Sequence, residues 1–89
     1  GQQRIAAIVG LAQSRELYKS PDAVLEWVMT LPADEKFNYG RHPTDRKTLM
    51  TRTLERLKYN DRKALEAFSQ RTDISQAERN LATAVLNRE

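Results

Sequence analysis

The chain contains no cysteine and a single histidine, His42. With no thiolate and one imidazole it has no ligand set for structural zinc, no disulfide staple and no nucleophilic thiol. Its acidic residues do not fall at the spacing of a calcium loop. Long apolar runs are also missing. No stretch approaches the roughly 18–20 residues that span a bilayer, so no membrane association is expected. Glycine and proline are scarce, with three of each, and β-branched residues are too sparse to alternate as strands do. These absences leave a small helical domain with no cofactor and no metal.

The 89 residues allow one domain, and a chain this short buries only about 60–65% of its unfolded surface. Leu, Ile, Val and Phe fill 19 of the 89 positions, just above the level of roughly 20% below which chains tend not to fold. A single helical domain over residues 1–89 is expected. The opening Gly1-Gln2-Gln3, without methionine, reads as a piece excised from a larger protein. No signal peptide is visible, so a cytoplasmic or other intracellular location is expected. The oligomeric state is not legible.

What is present is helical periodicity. A first helix is predicted from about Gln3 to Lys19, with Ile5, Ile8, Val9, Leu11, Ala12 and Tyr18 on one face. Ser20-Pro21-Asp22 starts a second, Ser20 as cap and Pro21 in the first helical position, running to about Leu31 with Val24, Trp27, Val28 and Leu31 inward. Residues 32–44 read as irregular, with a single helical turn at Asp34-Glu35-Lys36 and with Phe37 or Tyr39 available to pin the loop. A third helix follows from Thr44 or Asp45 to Lys58, striped by Leu49, Met50, Thr53, Leu54 and Leu57. Asn60-Asp61 closes it and caps a fourth, although Ala64, Leu65 and Phe68 continue the stripe, so one long helix over 45–70 is an alternative. Ser75-Gln76-Ala77-Glu78 matches a capping box and opens a last helix with Ala77, Leu81, Ala84 and Val85 inward. The fold class is all-α: a bundle of four or five short helices, with two stacked helical hairpins as one arrangement. The expected core is Ile8, Val24, Trp27, Val28, Leu31, Leu49, Leu54, Leu57, Leu65, Phe68, Leu81 and Val85.

The charge is uneven. Between Arg41 and Lys63 eight basic residues face three acidic ones, a net +5 in a chain of net +3. Charge gathered on one segment speaks of partners rather than of fold. Arg52 and Arg56, one helical turn apart, have no acid at favourable spacing on their flank. No serine sits in a nucleophile elbow near His42, and no pair of carboxylates is placed for acid–base work. A non-catalytic interaction module is therefore expected, with Arg41, His42, Arg46, Lys47, Arg52 and Arg56 contacting an acidic surface on a partner protein. Phe37 and Tyr39 are the expected aromatic contacts. The alternative is DNA or RNA binding through the same segment 41–63, with Tyr39 or Tyr59 stacking a base. A third reading places a phosphorylated ligand of a regulatory domain at residues 40–47, before a helix N-terminus.

Overall fold

The computed structural model describes the backbone of residues 2–32, 36–39 and 42–88, and the side chains of these residues except Gln2, Asn38, Tyr39 and His42. Asp34, Glu35 and Arg41 lie outside the described residues, so the helical turn expected at residues 34–36 does too, apart from Lys36. Eight elements follow in order: α1 (Gln2–Ala12), α2 (Glu16–Lys19), α3 (Pro21–Val28), β1 (Lys36–Tyr39), β2 (His42–Asp45), α4 (Arg46–Asn60), α5 (Arg62–Ser69) and α6 (Gln76–Asn87).

The predicted first helix is two helices. Ser14 divides them, because its hydroxyl donates to Leu11 O at 2.8 Å and accepts from the Glu16 amide at 3.2 Å. A serine that serves the backbone on both sides of itself ends one helix and starts the next. The interruption resets the helical phase. Ile8, Val9 and Ala12 of α1 are buried as expected, but in α2 Leu17 takes the inward position and Tyr18 stands 56% exposed.

In α3 the phase is set by Pro21, which is buried along with Val24, Leu25 and Val28. This stripe at i, i+3, i+4 and i+7 turns Trp27 outward, so the expected core tryptophan is 50% exposed and Leu25 stands in its place. Ser20 occupies the cap position without a side-chain hydrogen bond. Its carbonyl instead accepts from the Val24 amide at 3.1 Å. In α6 the inward face is likewise rotated from the expected one. Ala82 and Val85 are buried, Leu81 is half-buried, and Ala77 and Ala84 are exposed.

Within the stretch expected to be irregular, Lys36–Tyr39 and His42–Asp45 pair as an antiparallel β-ribbon, with Phe37 opposite Thr44 and Asn38 opposite Pro43. A ribbon of two strands has only edges, which is where a sheet tolerates a proline. Phe37 is 6% exposed and joins the core, where β1 lies against α1. Burying one phenylalanine is worth roughly 1.5–3 kcal/mol, enough to hold so short a ribbon in place.

Helix α4 is the centre of the domain. It touches α1, α2, α3, β2, α5 and α6, and its buried stripe is the predicted one, Leu49, Met50, Thr53, Leu54 and Leu57. The hydroxyl of the fully buried Thr53 donates to Leu49 O at 2.7 Å, so this polar side chain is not stranded in the core. The helix starts at Asp45, whose carboxylate accepts from the Thr48 amide at 2.8 Å. It ends at Asp61, in extended backbone (φ −157°, ψ 88°), whose side chain caps α5. A single helix through 45–70 is thereby excluded. The capping box at Ser75 and Glu78 forms in both directions. Helices α3 and α4 pair, α5 and α6 pair, and α4 lies against both members of the second pair. The result is a small all-α bundle, with six helices among the described residues because Ser14 splits the first.

Leu54 is fully buried and Trp27 is not. Leu54→Ala is expected to lower unfolding free energy by about 3 kcal/mol, and Trp27→Ala by less than about 1 kcal/mol, both read from urea denaturation. Equal losses would return Trp27 to the core.

Candidate functional site

The basic residues on which function was expected to rest meet different fates. Arg46 turns inward. Its guanidinium donates to Glu78 Oε2 at 2.7 Å and to Met29 O at 3.3 Å, joining the start of α4 to the end of α3 and the start of α6. Lys58 donates to Val85 O at 3.0 Å and also to Arg88 O, a cation closing the C-terminal end of α6. Arg62 reaches Leu86 O at 3.4 Å and pairs with Glu66 at 3.6 Å. These three side chains hold the bundle together. Lys47 and Arg52 are exposed and make no ion pair with any described residue.

Arg56 is held differently. Its guanidinium carbon lies 4.5 Å from the centroid of the Tyr18 ring and 4.7 Å from that of Tyr59. Tyr59 follows Arg56 by three residues on α4, while Tyr18 comes from α2. The Asn60 side chain fixes α2 there by donating to Tyr18 O at 2.8 Å. Each stacking contact is worth roughly 0.5–1 kcal/mol at an exposed site. Tyr18 is 56% exposed and Tyr59 80% exposed, so both rings sit on the surface. A shallow groove of about 370 Å³ runs past them, lined by Leu17, Tyr18, Arg52, Glu55, Arg56 and Tyr59. Glu55, the acid nearest in sequence, pairs with Arg88 at 3.2 Å.

Of the expected site residues, the structure therefore brings Arg52 and Arg56 together and sets Arg46 apart. Lys47 lies a turn or more away, beside a second groove that also reaches Arg52. Phe37, expected as a surface aromatic contact, is part of the core, because its side of the ribbon faces α1. Arg41 and the side chains of His42 and Tyr39 lie outside the described residues. The sequence reading missed Tyr18. The i, i+3 spacing of Arg56 and Tyr59 is visible in the chain, but the approach of Tyr18 depends on the break at Ser14 and has no local signal.

The N-terminal end of α4, considered as an anion site, already holds a carboxylate. Asp45 accepts there, and Thr48, through its side chain and then its amide, draws the Asp45 carboxyl below 3.8. A larger groove of about 510 Å³ lies beside it, lined by Arg46, Lys47, Met50, Ser75, Ala77, Glu78, Asn80 and Leu81. The Arg46–Glu78 pair occupies part of its wall. Burial pushes the Glu78 carboxyl up, but the Ser75 amide and hydroxyl and the Arg46 guanidinium outweigh burial and hold it below 4.5.

Among the described residues, no cluster of three or more His, Asp or Glu could hold a metal ion, and no helix is long and apolar enough to cross a membrane. Comparison with protein-family models, curated proteins and solved structures gives no match.

The folded Glu78 carboxyl lies below its unfolded value near 4.5, so the stability it contributes is present above that pH and lost as pH falls through the folded value. Urea denaturation between about pH 5 and about pH 3 is expected to show a shallower loss of stability in Glu78→Gln than in the native protein. Arg46→Ala is expected to cost about 2 kcal/mol at neutral pH, since it leaves Glu78 and Met29 O without their donor.

Proposed function

We propose that this chain is a non-catalytic helical interaction module that binds an acidic partner protein, through a surface centred on Tyr18, Arg52, Arg56 and Tyr59. The observation that carries this reading is the contact of Arg56 with the rings of two exposed tyrosines, with Arg52 one turn away. Tyrosine and arginine are the residues enriched at the energetic centres of protein interfaces. Their low loss of conformational freedom on binding favours them further when, as here, they are already ordered against one another.

The disposition of the remaining charge favours a protein over a nucleic acid. A protein that tracks a phosphate backbone needs several exposed cations in a row. Here Arg46, Lys58 and Arg62 find acceptors inside the domain, and Arg88 is matched by Glu55. Among the described residues of the basic segment 41–63, Lys47, Arg52, Arg56 and Lys63 are left without an acceptor, and only Arg52 and Arg56 share the groove past Tyr18 and Tyr59, which favours a compact site over a basic stripe. A phosphorylated ligand at residues 40–47 is disfavoured for a related reason, because Asp45 already caps α4 and Arg46 faces Glu78.

Fluorescence anisotropy with a labelled glutamate-rich peptide, a labelled mixed-sequence duplex and a labelled single strand tests this. At about 50 and about 200 mM salt, the peptide is expected to bind more tightly than either nucleic acid, with a log–log salt slope no steeper than about −2 for two charge contacts. Charge reversal at Arg52 and Arg56 is expected to abolish binding. Tighter binding of either nucleic acid, with a steep salt slope, would replace this reading with the nucleic-acid one.

A further inference from the structure

The way Arg56 is held defines what it can grip. Its guanidinium lies over both the Tyr18 and the Tyr59 ring, and its Nε is buried with no hydrogen-bond partner. The two terminal nitrogens are not buried in this way and donate to no described residue. A guanidinium offers an oxyanion two kinds of fork, a lateral one using Nε and a terminal nitrogen, and an end-on one using both terminal nitrogens. The first is closed here. The second remains available on a residue that lines the groove together with Leu17, Arg52, Glu55 and Tyr59.

Resting on the proposed binding of an acidic partner, we infer that Arg56 is a bidentate, end-on receptor for a single carboxylate of that partner, carried by an aspartate or glutamate next to an apolar side chain. The fork is planar, so it matches the planar carboxylate, and the two ring contacts reduce the side-chain freedom left to lose on binding. Glu55 lines the same groove. Its negative charge repels a phosphate dianion more than a carboxylate monoanion, which sets the preference between the two. The outward face of the Tyr59 ring, 80% exposed, is the surface on which the neighbouring apolar side chain packs. Arg52 adds charge without a fixed geometry. Arg56 therefore specifies the partner's motif, and Arg52 strengthens its attraction.

Nuclear magnetic resonance titration of the intact chain with capped peptides separates these roles. The probes are a pentapeptide with glutamate followed by phenylalanine, its glutamine analogue, and its phosphoserine analogue. The glutamate peptide is expected to shift the Tyr18, Arg56 and Tyr59 signals together, while the glutamine peptide leaves them in place. Arg56→Lys, which keeps the charge and loses the fork, is expected to weaken the glutamate peptide about tenfold or more, whereas Arg52→Lys changes it by no more than about twofold. Full affinity in Arg56→Lys would overturn the fork and leave the acidic-partner reading intact. Tighter binding of the phosphoserine peptide would overturn the carboxylate assignment alone. Shifts in the native protein that spare Tyr18 and Tyr59 would overturn the site even if the variants fail to fold. If neither this peptide nor the glutamate-rich one binds, the acidic-partner reading itself falls.

Discussion

The structure depends on one helix being at once the middle of the core and the most basic element of the chain. Five side chains of α4 are buried, and nearly every other element packs on it. A central helix has little free circumference. Its cations emerge at the seams between its neighbours, where each must find an acceptor, lie on an aromatic ring, or extend into water. Arg46 and Lys58 take the first course, Arg56 the second, Lys47 and Arg52 the third.

That sorting links stability to the proposed binding surface. Arg46 and Lys58 act at opposite ends of α4, one at the start of α6 and the other at its finish, so the two helices are tied at both ends by cations rather than by apolar contact alone. The site at Arg56 lies on the opposite seam, against α2. The same sequence of basic residues thus supplies both the fasteners of the bundle and its most distinctive surface feature, and only the position around the helix decides which.

Much of the fold was legible in the chain, and the reasons for the misses are specific. The stripe of α4, the Asp45 and Asp61 caps and the Ser75–Glu78 box are local patterns, and each formed as read. Errors arose where phase was set by a residue with two roles. Pro21 was read as a start signal but is also a buried packing residue, which rotates Trp27 outward. Ser14 falls inside the predicted first helix but interrupts it by bonding to the backbone on both sides. The pairing of β1 with β2 escaped because the strands are four residues each, too short to show alternation, and because Pro43 argues against strand when edges are not considered. The candidate site was half-legible. Arg52, Arg56 and Tyr59 share a helix, whereas Tyr18 arrives from outside it.

Helix α2 has only four residues, a single turn that would not persist alone in water. It is kept by Leu17 in the core, by the Asn60 side chain on Tyr18 O, and by the Arg56 guanidinium over the Tyr18 ring. One wall of the site is therefore a single helical turn that depends on tertiary contacts to stay folded. Occupancy of the site and local opening of α2 are then linked equilibria. Whatever binds the ordered wall slows the exchange of the α2 amides, and whatever loosens that turn weakens binding without touching the occupant.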